Sequence, residues 1–209
     1  MKLMSVAPRA WSDATFQNVN VTLDTTYIID LEKAVGTSQA RTLAKMHDDH
    51  KINLRVVAIS ASENPQKLDR TYASNFSEFR NRITAVGLGK AEILKPLGYY
   101  DITYSDWSVT ASVPMLELEQ KIHEILFPEV QFSYEEFCKK KGLDPKSGGI
   151  DRIWRNRKCD VLAMWSHIQY GGGIFLTEDK NYHKKKTQLI ALGAGEILKL
   201  DQAVAKLAF

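Results

Sequence analysis

The stretch LRVVAIS, residues 54–60, does most to limit the fold. It is almost continuously apolar and rich in β-branched residues. A strand with one face in water alternates apolar and polar positions, because successive side chains point to opposite faces. A run without that alternation suits a strand covered on both faces, which is the situation in a parallel sheet flanked by crossover helices.

Strand and helix signals alternate around this run. VNVTLD places Val19, Val21 and Leu23 at alternate positions and predicts a strand at about 18–23, with Asp24 at its C-terminal end. In residues 38–50, SQARTLAKMHDDH, Ala40, Leu43, Ala44 and Met46 fall near one stripe behind Ser38, a natural N-cap, which predicts a helix. Residues 67–85 carry a mixed helical pattern, 87–100 a short helix broken near Pro96, and 101–113 an aromatic, β-rich stretch. LELEQKIHEILF, 116–127, predicts an amphipathic helix with Leu116, Ile122, Ile125 and Leu126 inward. A short helix over 134–142 ends at Gly142, and DPKSGG, 144–149, is a loop.

The last third reads as a helix from about 159 to 170 stopped by Gly171, a strand over IFLT, and a helix ending at Gly193. A strand over 196–200 and a closing helix with Asp201 as its N-cap complete it. Strand–helix alternation at both ends predicts an α/β chain with a mostly parallel central sheet, a three-layer α/β/α domain. The 209 residues suffice for one such domain over 1–209, with a leader at 1–17 and a helical insertion or elaborated middle segment at about 67–150.

In such sheets ligands bind outside the C-terminal ends of the strands. Asp24, Glu63 and Asp179 follow three predicted strand ends, and Asp160 is expected to begin the helix that leads into IFLT. Carboxylates gathered at one edge repel one another unless a cation sits among them. Hard oxygen ligands without His or Cys favour Mg²⁺ or Mn²⁺ over Zn²⁺. Such ions suit phosphodiester hydrolysis.

LDTTYIIDL resembles the opening of PIN-domain nucleases, where a strand ends in Asp-Thr before apolar residues. AISASE resembles their second motif, a strand followed by Glu. CDVLAMWSHIQYGGGIFLTEDKNY is similar to their distal pair, an Asp-led helix, a short strand and Thr-x-Asp before an aromatic. GAGEILKLDQAVAKL resembles the strand and helix that close the domain. The resemblance covers about residues 18–65 and 157–207.

It implies that Asp24, Glu63, Asp160 and Asp179 are catalytic, metal-binding acids, and that Thr177 orients Asp24 by a hydrogen bond. Glu78 and Glu92 are alternatives to Glu63, Asp151 is a candidate extra ligand, and Thr26 stands where an Asn is frequent. The implied activity is a PIN-like, Mg²⁺- or Mn²⁺-dependent endoribonuclease; the alternative is a non-catalytic RNA-binding or scaffold protein that retains the fold. The implied partners are an RNA substrate and a cognate antitoxin or a second copy of the chain.

The net charge of +3 permits a polyanionic partner without demanding one, so clustering matters more. RIWRNRK (152–158), HKKK (183–186) and FRNR (79–82) are the basic clusters. Arg152, Arg155 and Arg157 interleaved with Trp154 suit a phosphate backbone and a stacked base, and Lys184 and Lys185 follow Asp179. HDDH, 47–50, reads as a polar helix terminus, His167 as a packed core residue, His123 as a surface residue, and Gly171 to Gly173 as a helix stop. Cys138 and Cys159 form no CxxC and have no base nearby in sequence, which points to a reducing compartment. With no signal-peptide core and no apolar run of the roughly 20 residues a bilayer needs, a cytoplasmic location and no membrane partner are expected.

Overall fold

The structure is a computed structural model that describes residues 19–32, 38–62, 76–146 and 149–207. Five parallel strands form one sheet in the order β3-β2-β1-β4-β5: β1 (Val19–Leu23), β2 (Ile52–Val57), β3 (Glu92–Leu94), β4 (Ile174–Leu176) and β5 (Glu196–Leu198). The chain steps outward from β1 to β2 to β3, then returns to lay β4 on the other side of β1. Direction therefore reverses between β1 and β4, and a crevice opens at such a switch point.

Period-two alternation divides the sheet cleanly. Val21, Leu23, Leu54, Val56, Ile174, Leu176 and Leu198 point to one face. They pack there under α1 (Thr25–Glu32), α2 (Ser38–Asp48), α3 (Phe76–Ala85) and α9 (Leu200–Leu207). Val57, Leu94, Phe175 and Ile197 point to the other, under α4 (Val113–Leu126), α5 (Tyr134–Lys141), α6 (Arg152–Gln169) and α8 (Lys186–Ala191). Helices on both faces make an α/β protein with three layers. Burying each large aliphatic side chain contributes about 1.5–3 kcal/mol, so the doubly covered strands anchor the domain.

Several expectations need correction. The apolar run at 54–60 is not all strand: β2 stops at Val57 and Ala58–Ala61 forms one buried 3-10 turn. Hydrophobicity alone does not separate a buried strand from a buried turn. The short helix expected within 87–100 is instead β3, whose Glu92 lies opposite Arg55. The middle segment thus supplies an edge strand of the sheet as well as helices.

The inward side of α4 is also different. Leu116 is 41% exposed, while Glu119, Ile122, His123 and Leu126 form the buried stripe. Glu119 is buried because Lys158 Nζ lies 2.7 Å from it and the Tyr99 hydroxyl donates to it at 2.6 Å. His123, expected at the surface, is buried with Nε2 2.8 Å from the Val130 carbonyl. Asp201 lies inside the first turn of α9, which begins at Leu200, and does not cap it.

Other readings stand. α5 ends on Gly142 at φ +67. His167 is fully buried between Thr22 Oγ1 (2.8 Å) and the Ala194 carbonyl (2.7 Å). Gly171 follows the end of α6 with φ +95. Gly172 and Gly173 do more than stop a helix: both have positive φ, and a Cβ on Gly173 would collide with the Asn20 carbonyl beside it. His47 at the end of α2 bonds backbone at Ile52 and Lys90, as a polar helix terminus does.

Candidate active site at the switch point

Asp24 stands one residue past β1, and its N–H donates to the Leu176 carbonyl at 3.0 Å. That bond carries the β1–β4 ladder one step beyond the strands. Thr177 continues β4 in the same way, donating to the Leu198 carbonyl at 3.1 Å. Asp24 and Thr177 share the parity of Thr22 and Phe175, so both side chains turn toward the α6 side of the sheet.

The two side chains meet there. The Thr177 hydroxyl donates to Asp24 Oδ2 at 2.6 Å, the bond that the resemblance implied. Thr177 Oγ1 in turn accepts the Asp179 N–H at 3.0 Å. Asp24 Oδ1 accepts the Thr25 N–H at 2.8 Å. Asp179 caps α7 (Lys180–Lys184), accepting the Asn181 N–H at 2.6 Å. One buried hydroxyl therefore sits between two acids from opposite ends of the chain.

Asp24 is only 7% exposed, and burial pushes its pKa from 3.8 up to about 6. The bonds from Thr177 and Thr25 pull it down, and the neighbouring charge of Asp179 pushes it up. Burial disfavours the carboxylate, and a second carboxylate adds repulsion, so a cation here would relieve both. Asp179 itself is exposed.

Asp160 does not begin its helix. α6 starts at Arg152 behind Asp151, whose carboxylate accepts the N–H groups of Ile153 (2.8 Å) and Trp154 (3.1 Å). Asp160 lies in the body of α6, half-buried, and its carbonyl accepts the Tyr182 hydroxyl at 2.7 Å. The helix starts earlier than expected because its first two turns bury Trp154 and Lys158, whose partners lie far away in sequence. Asp151 is the N-cap, nine residues before Asp160 and about 13 Å away along the axis.

Glu63 lies outside the described residues. The turn before it is anchored: Ser60 Oγ lies 2.6 Å from Thr25 Oγ1, tying the start of α1 to the end of β2. Glu78 is exposed in the first turn of α3. Glu92 is committed to Arg55 at 2.8 Å, two residues below the level of Asp24. Among the described residues, no three His, Cys, Asp or Glu side chains converge as a ready set of metal ligands.

The basic cluster at 152–158 splits on folding. Trp154 is buried, its indole N–H donating to the Gln131 carbonyl at 3.0 Å and its ring against Tyr134. That corrects the expectation of a base-stacking Trp154, because its faces are already used inside the protein. Lys158 is buried on Glu119 within an aromatic surround of Tyr99, Phe132 and Trp154. Arg157 lies 3.6 Å from Glu129 and over Phe127. Arg155 is half-buried beside Tyr104. Arg152 and Lys184 are exposed, and Lys185 is half-buried at the α7–α8 junction. In FRNR, Phe79 is core and Arg80 lies over Trp107.

Sequence reasoning missed Ser60, Asn181 and Tyr182, whose hydrogen bonds run to residues distant in sequence. The aromatic after Thr-x-Asp was visible, but its hydroxyl partner was not. Tyr27 was likewise read only as apolar, yet its hydroxyl donates to Glu178 at 2.8 Å and accepts the Leu200 N–H at 3.0 Å.

Comparison with protein-family models, with curated proteins and with solved structures finds no match. Among the described residues, no helix is long and apolar enough to cross a membrane.

Proposed function

We propose that the protein is a PIN-like, Mg²⁺- or Mn²⁺-dependent endoribonuclease centred on Asp24 and Asp179. The observation that carries this reading is the Thr177–Asp24 hydrogen bond, which joins residues 153 apart in sequence at the switch point of the sheet. The opening and distal motifs thereby meet at the switch point of the sheet, the place where α/β sheets bind ligands.

The donor set fits a hard divalent cation, being carboxylate with no sulfur or imidazole. Asp24 and Asp179 would hold it, with Asp160 and Glu63 as further acids. When bound, such an ion lowers the pKa of water and neutralises phosphate charge. The protein's own residues prepare for this. Thr177 and the Thr25 N–H hold the Asp24 carboxylate in one orientation. Burial keeps that carboxylate poorly solvated, so its attraction for a cation is strong. Arg152, at the start of α6, and Lys184, with Lys185 next to it in the chain, are cations available to a phosphate backbone. A cytoplasmic location, and an antitoxin or second copy as partner, accompany this reading.

The second reading, a non-catalytic RNA-binding or scaffold protein, is favoured by the lack of a converged triad of ligands among the described residues. Cleavage of labelled RNA with Mn²⁺, with EDTA, and by Asp24→Asn and Asp160→Asn separates the two. Activity abolished by EDTA and by both substitutions supports the nuclease. RNA bound but not cut by the wild-type protein supports the second reading.

A further inference from the structure

We propose that Arg80 and Lys95, held over Trp107, bind a backbone phosphate of an RNA strand at the rim of the sheet; this rests on the RNA-binding part of the reading above. Trp107 ends the 3-10 turn Ser105–Trp107. Its ring stacks on Phe76 at 4.2 Å and 18°, and Phe76, buried at the start of α3, is met edge-on by Tyr104 at 5.7 Å. The core therefore fixes the ring. Two cations from different elements lie over it. The Arg80 guanidinium of α3 is 5.7 Å from the ring centre, and Lys95 Nζ, one residue past β3, is 5.2 Å from it. The electron-rich face of an indole attracts cations of both kinds. Lys95 Nζ also donates to the Asp106 carbonyl at 3.2 Å, which sets its direction.

No acid neutralises the pair. Lys90, Lys158, Lys199 and Lys206 each pair with a carboxylate, whereas among the described residues Arg80 and Lys95 pair with none. Their distances from the shared ring centre put the two cations no more than about 11 Å apart, and like charges held together repel. A bound anion relieves that repulsion. Phosphate suits both donors, since a guanidinium grips it through two parallel hydrogen bonds and an ammonium acts as a point charge. Arg80 is exposed and Lys95 half-buried, so both reach solvent. Arg82 and Arg155 add cationic charge around Tyr104 and outweigh the exposed acids Glu78 and Asp106. The position suits a strand that also meets Asp24. Leu23 is level with Val56, and Leu94 with Val57, so Lys95 and Asp24 follow strand ends on the same rim, two strand spacings or about 10 Å apart. Lys95 turns toward α3 and Asp24 toward α6, so this site flanks the acids instead of joining them. None of these residues lies in the segments that resemble PIN nucleases.

The test is binding of a fluorescein-labelled single-stranded oligouridylate to the full chain in EDTA, where no metal-dependent cleavage competes, read by anisotropy across a salt series. The double variant Arg80→Gln, Lys95→Gln should bind about tenfold or more weakly at low salt. Its plot of log affinity against log salt should be shallower by about 1.4, since each phosphate contact on a single strand contributes about 0.7. The exchange Arg80→Lys, Lys95→Arg keeps both charges and should restore binding. Trp107→Leu should weaken binding and Trp107→Phe, which keeps an aromatic face, should not, as befits a positioning residue. An unchanged affinity and salt slope in the double variant overturns the site, and so does the same result in the single variant Arg80→Gln, whose exposed side chain the fold does not need. Cleavage that EDTA abolishes, beside unchanged binding in these variants, overturns this site and leaves the nuclease reading standing. Binding that depends on Arg80 and Lys95, with no cleavage in Mn²⁺, supports the site and overturns the nuclease reading.

Discussion

Asp24→Asn should make the metal-free protein more stable at neutral pH and less active. Burial raises the Asp24 pKa from 3.8 to about 6. A rise of roughly two pH units, at about 1.4 kcal/mol for each, makes the charged form cost about 3 kcal/mol above pH 6. A carboxylic acid whose folded pKa exceeds its unfolded one binds its proton more tightly in the native state. Its contribution to stability is therefore greatest below about pH 4 and is lost as pH rises through 6. Asparagine carries no charge but has one acceptor oxygen where Asp24 now serves two donors, Thr25 N–H and Thr177 O–H. Losing one of those bonds costs about 1 kcal/mol. The net gain is about 2 kcal/mol at pH 8 and becomes a loss of about 1 kcal/mol near pH 4, where the folded wild-type acid is neutral and only the missing bond counts. Urea denaturation in EDTA at both pH values measures it. A difference that is the same at pH 4 and pH 8 would refute the argument, because it would mean that the folded and unfolded carboxyls titrate alike. Saturating Mn²⁺ should reverse the order, since ligand binding stabilises only the protein that binds it.

Thr177→Val leaves Asp24 Oδ2 and the Asp179 N–H without their shared partner, which costs about 2 kcal/mol in urea denaturation and moves the Asp24 pKa further up as a lowering bond is lost. Lys158→Met strands the buried Glu119 carboxylate and should destabilise by about 3–5 kcal/mol, while the double variant Lys158→Met, Glu119→Leu recovers most of it; equal losses in single and double variants would contradict the pairing. Burial holds the His167 pKa down at about 4, so the unfolded chain takes that proton first and stability is lost as pH falls from about 6.5 to 4. That slope opposes the Asp24 slope below pH 6, so Asp24→Asn should show the steeper acid-induced loss of stability across pH 4 to 6.

How much of this was legible follows the range of the interactions involved. The doubly covered β2 announced itself in LRVVAIS, because burial on both faces removes alternation from neighbouring residues. Gly142 and Gly171 marked their helix ends because a left-handed residue is a local requirement. The start of α6 was not legible. RIWRNRK reads as a charged, solvated segment until Glu119 on α4 neutralises Lys158 and Gln131 receives the Trp154 indole. His123 on α4 reads as a surface residue, and Glu119 draws no notice, for the same reason: a buried polar side chain looks exposed until its partner is known.

The chain by itself determined the α/β class, most of the strands, and the place of Asp24 and Asp179 just past two strand ends, since each depends on residues within a few positions of one another. Only the tertiary structure decided that β1 lies beside β4, that Thr177 stands between Asp24 and Asp179, and that Tyr182 reaches Asp160. The physical reason is that hydrophobic periodicity is a local consequence of burial, whereas strand order and side-chain hydrogen bonds are settled by which surfaces pack together once the whole chain has folded.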